Sequence, residues 1–317
     1  MTPGTIPVIV GPTAGGKTAL AVELSLLLHA RGTPAEVVTA DAFQVYRGMD
    51  IGTAKPAEQE QRGVPHHLID LVEPTEGFTV HEWVRRADAL VDDLRARGVV
   101  PIVVGGTNLY VQAFLDGLFE GPEPDESLRE ELRARGQRSL RGELERVDPA
   151  AAERIDRADE RRTVRALEVF RQTGTPISEL QRQWDADRAA RPGREGAVVV
   201  GLSWPVESIN RRINARVKGM VERGLVDEVR GLWDADRLGA QAGQALGYKQ
   251  LIEHFERWRT LDDAIERIKI ETRRFAKNQR TWLKRFRARP GSVWFEGEGQ
   301  AADKIAQTLA AKLFTDN

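Results

Sequence analysis

Residues 11–18, Gly-Pro-Thr-Ala-Gly-Gly-Lys-Thr, constrain this chain more than any other stretch. They fit the pattern of a phosphate-binding loop, in which Gly11, Gly16, Lys17 and Thr18 occupy the fixed places. Glycines let successive backbone amides curl toward one concavity, and a following helix adds its unpaired N-terminal amides. Lys17 would supply a point charge for a phosphate, and the Thr18 hydroxyl can ligate Mg2+.

The context of the loop is the one that the motif requires. A short apolar run, rich in β-branched residues, precedes it at 6–10, and a run of helix formers follows at 19–28. The order strand, loop, helix therefore favours a phosphate site over a glycine-rich turn that binds nothing.

Two further predicted strands end in polar turns. The run at 35–40 leads into Asp41, and the run at 99–104 leads into a glycine pair and Thr107. In open α/β sheets ligands lie beyond the carboxyl ends of the strands, so we expect Asp41 and Thr107 to face the phosphate loop. The simpler alternative is that each of them caps the helix that follows it. The pattern predicts an α/β fold, a P-loop NTPase-like parallel sheet flanked by helices.

The residue pattern of the sequence changes at about residue 116, and the strand pattern returns at about residue 197. Residues 116–196 lack β-branched apolar runs and are charged, arginine-rich and helical in pattern. We therefore expect a helical insertion domain at 116–196, between two parts of a catalytic core at 1–115 and 197–317.

Arg216 lies in a predicted helix whose apolar stripe includes Ile209, Ile213 and Met220. At about 100° per residue, Arg216 falls within about 40° of that stripe. A guanidinium directed at the apolar side needs an anion, which can be a carboxylate or a bound phosphate. The pattern alone leaves both partners open.

The predicted last long helix, at about 261–286, is strongly basic. Residues 266–289 hold ten Arg or Lys and two Glu, although the net charge of the whole chain is −1. A local basic surface of this kind fits a polyanion. The interleaved aromatic residues Phe275, Trp282 and Phe286 fit either a core or a stacking platform.

The composition excludes several classes of site. The chain of 317 residues has no cysteine, which removes disulfides, thiolate zinc sites and cysteine nucleophiles. No charged-then-apolar leader and no apolar run of membrane length is visible. We expect a cytoplasmic protein that makes no membrane contact and acts as a monomer.

Taken in order, the motifs closely resemble those of the tRNA dimethylallyltransferases in their bacterial form. The resemblance is carried by 11–18, by Asp41 with 44–46 and 48–56, by 105–110, by 165–169, and by 272–282. It implies transfer of a five-carbon prenyl group from dimethylallyl diphosphate to N6 of the adenosine 3′ to the anticodon of a tRNA, with Mg2+ as cofactor. The anticodon stem-loop would be the bound part of the tRNA.

The resemblance also implies roles for single residues. The diphosphate would lie on Gly11, Pro12, Thr13, Ala14, Gly15, Gly16, Lys17 and Thr18, with Mg2+ at Thr18. The catalytic residues would be Asp41, Thr107 and Arg216, with Asp41 accepting a proton from the N6 amine. The tRNA contacts would be Asp41, Ala42, Phe43, Gln44, Thr107, Arg129, Arg161, Arg162, Arg165, Arg273, Arg274, Lys277 and Arg280. Because Mg2+ and Lys17 would be close, we expect Asp41 to be ionised rather than to have a raised pKa.

The sequence departs from the family pattern at two positions. Gly15 and Ala42 stand where the family usually has serine, so each removes a hydroxyl near the ligand. We expect looser binding of the ligand without loss of reaction. The C-terminal zinc finger of the eukaryotic members is absent, as the lack of cysteine requires.

Two other functions share part of this pattern. A P-loop small-molecule kinase would use the same sheet and loop with ATP and Mg2+, but it leaves the basic helix unexplained. A nucleotide-switched RNA-binding protein would explain the basic helix, but it leaves Asp41 without a role.

Overall fold

The computed structural model describes residues 4–119, 121–189 and 193–314, and its centre is a six-stranded parallel sheet. The strands are β1 (Ile6–Val10), β2 (Ala35–Ala40), β3 (His66–His67), β4 (Val100–Gly105), β5 (Ala197–Ser203) and β6 (Val293–Glu296). They lie in the order β3-β2-β4-β1-β5-β6. The predicted fold class, a parallel α/β sheet flanked by helices, is confirmed.

The chain divides into two compact units, residues 1–115 with 194–317, and residues 116–193. The helices that begin in the first unit are α1 (Lys17–Ala30), α2 (Glu58–Gln61), α3 (Val80–Ala96), α4 (Asn108–Asp116), α10 (Val206–Glu222), α11 (Leu225–Asp234), α12 (Tyr248–Phe255), α13 (Leu261–Arg287) and α14 (Ala302–Leu313). The helices of the second unit are α5 (Glu126–Ala134), α6 (Gln137–Val147), α7 (Pro149–Arg154), α8 (Glu160–Thr173) and α9 (Ile177–Ala189).

Both faces of the sheet are covered. Successive side chains of a strand point to opposite faces, so Val8 and Val10 join one hydrophobic core while Ile9 joins another. The core around Ile9 is closed by α1 and α14, and the core around Val8 by α3, α4 and α10 to α13. This double cover explains why the strands read as almost unbroken apolar runs.

The second unit has a hydrophobic core of its own. Leu132, Leu140, Leu144 and Leu167 are fully buried and pack together. Leu128 packs against them, so the core contains both leucine pairs, Leu128 with Leu132 and Leu140 with Leu144, that indicated helices in this segment.

Within the described residues, no helix combines the length and the apolar character that crossing a bilayer would need.

Candidate active site at the carboxyl edge of the sheet

The phosphate loop joins β1 to α1 in a compact turn. The Gly15 amide donates to the Pro12 carbonyl at 3.0 Å, and Gly16 adopts a φ of 85°. That left-handed conformation favours glycine, and it lets α1 begin at Lys17 with its first amides at the loop. The local geometry therefore follows from the glycines that defined the motif.

Lys17 lies over its own loop. Its Nζ donates to the carbonyls of Gly11 at 3.1 Å and Pro12 at 2.9 Å. Burial and the charge of Arg216 lower the pKa of Lys17 to about 8, against the opposing effect of Asp41. An anion placed beside Lys17 would therefore stabilise its charged form.

Asp41 directly follows β2, and its Oδ1 accepts the amides of Phe43 at 2.9 Å and Gln44 at 3.3 Å. Asp41 therefore closes a turn after β2 rather than capping a helix, since the next helix begins only at Glu58, and the two amides set the direction of the carboxylate. Burial raises the pKa of Asp41 above its ordinary value of 3.8, although those two amides, Lys17 and Arg216 all oppose the rise. The sequence led us to expect that Mg2+ and Lys17 together would keep this pKa from rising; among the protein groups alone, the desolvation of the carboxylate outweighs its neighbours.

Thr107 is held beside Asp41 by the backbone. Its Oγ1 accepts the Ala42 amide at 3.0 Å, and within the described part of the chain its own proton has no acceptor and can donate to a ligand. The strand ends touch at this point: a Cβ on Gly105 would lie 2.1 Å from the Ala40 carbonyl oxygen. The structure therefore brings together the turns after β2 and β4, as the sequence predicted.

Arg216 reaches this cleft from α10, between the buried residues Ile213 and Val217. Burial lowers its pKa, and the main opposing effect is the charge of Asp41. Among the described residues the guanidinium makes no hydrogen bond and no ion pair, so the carboxylate partner that the sequence left open is not present there. Lys17 and Arg216 thus present two cations to one cleft.

Two side chains that the sequence analysis missed hold the outside of the phosphate loop. Trp204 donates from Nε1 to the Gly15 carbonyl at 3.0 Å, and Arg212 donates from Nε to the Ala14 carbonyl at 2.7 Å. A Cβ on Gly15 would lie only 2.8 Å from the Pro12 oxygen, which belongs to the backbone. A serine at this position would therefore displace the loop, so Gly15 is matched to the loop as it stands.

Gln44 and Phe43, both predicted tRNA contacts, differ in their surroundings. The Gln44 amide nitrogen donates to the carbonyls of Thr53 at 3.2 Å and Ala54 at 3.1 Å, which ties the turn after β2 to the next loop. Phe43 is half-buried and lies against Tyr46. The Gln44 side chain is therefore already engaged inside the protein, where it holds two loops of the site together.

The loop at 48–56 is held by a carboxylate that the sequence analysis also missed. Glu228 accepts the backbone amides of residues 50–52 at 2.6 to 3.0 Å and the Tyr248 hydroxyl at 2.5 Å. A Cβ on Gly52 would lie 2.4 Å from the Tyr248 ring, which requires glycine there. Only the position of Tyr248 in a glycine-rich stretch hinted at this anchor.

The predicted tRNA-binding arginines of the second unit fall into two groups. Arg129 and Arg165 are both paired with the fully buried Glu168, at 2.9 Å and 2.6 Å. The Arg129 pair joins α5 to α8, whereas Arg165 and Glu168 lie on the same helix, and both arginines are thus engaged by a carboxylate before any ligand arrives. Arg161 and Arg162 are exposed at the start of α8.

One face of α13 carries a row of cations, Arg273, Lys277, Arg280, Lys284 and Arg287, which we call the cationic stripe. At 100° per residue the five lie within about 80° of one another. All five line a cavity of about 240 Å³, and none has a carboxylate partner among the described residues. Arg274, in contrast, is paired with Glu271 at 3.1 Å, so the expected contact of Arg274 with tRNA would compete with an ion pair on another face of the helix.

Comparisons with known proteins agree with the resemblance seen in the sequence. The family model described as IPP transferase matches residues 44–286. A tRNA dimethylallyltransferase of Geobacillus kaustophilus is 44% identical over 97% of both chains, and one of Shouchella clausii is 43% identical over 99% of this chain and 100% of the relative.

Solved structures give the same result. The tRNA isopentenylpyrophosphate transferase of Bacillus halodurans matches with a TM-score of 0.69 and 38% identity, covering 98% of this chain and 97% of that one. A eukaryotic dimethylallyltransferase acting on tRNA matches with a TM-score of 0.78 and 26% identity, covering 97% and 77%.

Proposed function

The chain belongs to the IPP transferase family, and from this premise we propose that it transfers a dimethylallyl group from dimethylallyl diphosphate to N6 of the adenosine 3′ to the anticodon. Relatives that match it over nearly their whole length are named for tRNA modification. The chain is accordingly an enzyme, a transferase of tRNA processing.

The observation that carries the proposal is the pair of cations in the cleft. Lys17 and Arg216 face the same space, since the charge of Arg216 lowers the pKa of Lys17, and Arg216 makes no ion pair of its own among the described residues. Both cations are half-buried and share Asp41 as a neighbouring carboxylate, with Glu60 also acting on Arg216, and a further anion beside them would offset their mutual repulsion. A diphosphate at the loop of residues 11–18, on the unpaired first amides of α1, would supply it.

The residues present also fit a magnesium ion that is held mainly by the substrate. The described part of the chain has no group of three or more metal-ligating side chains, so the protein alone offers no cage. The Thr18 hydroxyl lies in the first turn of α1 and makes no hydrogen bond within the described residues, and Mg2+ is often held by one or two protein oxygens with substrate phosphates. When bound there, Mg2+ would neutralise charge that develops on the diphosphate.

The reaction exchanges one bond for another. The bond between the allylic carbon and the diphosphate oxygen breaks, and the electron pair leaves with the diphosphate, where Lys17 and Arg216 stabilise it. The N6 lone pair forms the new bond to the carbon. Asp41, directed by the amides of Phe43 and Gln44, accepts the proton that the nitrogen loses. The hydroxyl proton of Thr107 is available for a hydrogen bond that orients the adenine base.

The tRNA would approach along basic surfaces. The cationic stripe and the exposed Arg161 and Arg162 offer contacts to phosphates, which depend on charge rather than on sequence. The target adenosine lies in a base stack, so it must be flipped out to meet Asp41.

A three-way labelling experiment tests the proposal. The protein is incubated with labelled dimethylallyl diphosphate or γ-labelled ATP, each with unmodified tRNA that carries adenosine 3′ to the anticodon. We expect prenyl label in this tRNA and none in a matched tRNA with guanosine at that position. Transfer of phosphate label would favour the kinase, and tRNA binding without either transfer would favour the RNA-binding protein.

A further inference from the structure

Gln279 joins the two loops that border the cleft. It lies on α13 and is 1% exposed. Its Oε1 accepts the Thr13 amide of the phosphate loop at 2.9 Å, and its Nε2 donates to the Gly106 carbonyl at 2.8 Å. The two loops follow the neighbouring strands β1 and β4, so a single side chain bridges the carboxyl edge of the sheet.

The Gln279 amide and the Lys17 ammonium lie on the same side of Gly106. A Cβ placed on this glycine would lie 3.3 Å from Gln279 Nε2 and 3.7 Å from Lys17 Nζ. Gly106 immediately precedes Thr107, whose hydroxyl holds the Ala42 amide next to Asp41. The chain of contacts therefore runs from Thr13, through Gln279, to the turn that directs Asp41.

The bridge requires a neutral amide. Glutamine offers an acceptor and a donor on one planar group, and both are used here. A carboxylate keeps the acceptor but repels the Gly106 carbonyl, and an apolar side chain leaves both backbone groups without a partner in a buried place.

We propose that Gln279 is a positioning residue that sets the spacing between the diphosphate loop and the Asp41–Thr107 turn. The proposal rests on the proposed function, because that function places the donor on one side of the bridge and the acceptor amine on the other. Reaction between two bound substrates depends steeply on their separation, and a shift of about 1 Å can cost on the order of 10²-fold in rate.

A rival role is visible in the same contact. Gln279 Oε1 accepts the Thr13 amide, which a phosphate oxygen could otherwise use. In this rival role, Gln279 would compete for the amide with dimethylallyl diphosphate, which would have to displace it. The second hydrogen bond and the full burial favour a fixed bridge, since displacement would break both contacts at once.

The test compares Gln279→Met with Gln250→Met. Gln250 is also a buried glutamine, 5% exposed, but its side chain accepts the Gly247 amide at the start of α12. For each full-length variant we would measure the binding of inorganic pyrophosphate and of dimethylallyl diphosphate by calorimetry, and kcat with both substrates saturating. We expect Gln279→Met to weaken both ligands and to lower kcat about 10- to 100-fold per folded molecule. Gln250→Met should keep kcat within about twofold.

The variant Gln279→Glu adds a pH readout that a general loss of stability does not produce. A protonated carboxyl both donates and accepts, so it restores the bridge, whereas the ionised form breaks one contact and repels the diphosphate. The kcat of Gln279→Glu relative to the unaltered protein should therefore rise as pH falls from 8 toward 5.5.

Three results would overturn the assignment: tighter pyrophosphate binding by Gln279→Met, equal kcat in the two methionine variants, or a Gln279→Glu ratio that does not change with pH. Tighter binding would identify the glutamine as a competitor for phosphate. Failure of the proposed function has a different signature, since the unaltered protein would then transfer no prenyl group to tRNA.

Discussion

Asp41 is the residue on which the proposed chemistry depends, and opposing effects act on its pKa. Burial raises its pKa, while two amides and two cations favour the ionised form. Because the folded state binds this proton more tightly than the unfolded chain does, ionisation of Asp41 destabilises the fold as pH rises above 3.8. A base must be ionised to act, so we expect the acid limb of the kcat/KM profile to lie above that value.

Asp41→Asn should therefore separate activity from stability. Asparagine Oδ1 still accepts the Phe43 and Gln44 amides, but it takes no proton. We expect turnover to fall roughly 10²- to 10⁴-fold, while the midpoint of unfolding by urea at pH 7 stays equal or rises. Loss of dimethylallyl diphosphate binding with normal turnover at saturation would instead make Asp41 a part of the diphosphate site.

At the scale of elements, α13 has cations of two kinds. Those of the cationic stripe have no carboxylate partner, whereas Arg267 and Lys269 are paired with Glu271 and Glu266 on the same helix. Removing Lys277 and Arg280 together should weaken tRNA binding and reduce its dependence on salt, since each lost phosphate contact lowers the salt slope by about one. The matched control Arg267→Ala with Lys269→Ala makes the same change of charge and should leave the slope almost unaltered. Equal effects in titrations from 50 to 200 mM salt, about the range in which such contacts are sensitive, would show that general charge and not the stripe binds tRNA.

At the scale of the whole molecule, the two units have separate hydrophobic cores, and we expect them to open separately. Leu144→Ala leaves a cavity in the core of the second unit and should reduce its stability by about 2–5 kcal/mol. Hydrogen exchange should then quicken in α6 and α8 while β1 and β4 keep their protection. Leu28→Ala, in the core between α1 and the sheet, should produce the reverse pattern. Uniform loss of protection in both variants would mean that the chain unfolds as one unit.

Much of this protein could be predicted from local pattern. Apolar runs and helical periodicity depend on neighbouring residues, so they predicted β1, β2, β4 and α13 to within a few residues. The glycines of the phosphate loop defined its turn, and the rule for strand ends brought Asp41 and Thr107 to one edge. The pairing of Arg129 and Arg165 with Glu168 was not predicted, because an arginine cluster looks the same in sequence whether it faces solvent or a buried carboxylate.

The sequence by itself determined the fold class, the order of the main elements along the chain and the polar turns that follow β1, β2 and β4, since all three follow from short-range spacing. Only the tertiary structure decided which partner each polar group has. Gln279 meets Thr13 across 266 positions of the chain, and Glu228 meets Gly52 across 176. The raised pKa of Asp41 has the same origin, because desolvation depends on everything packed around the carboxylate and leaves no mark in the residues beside it.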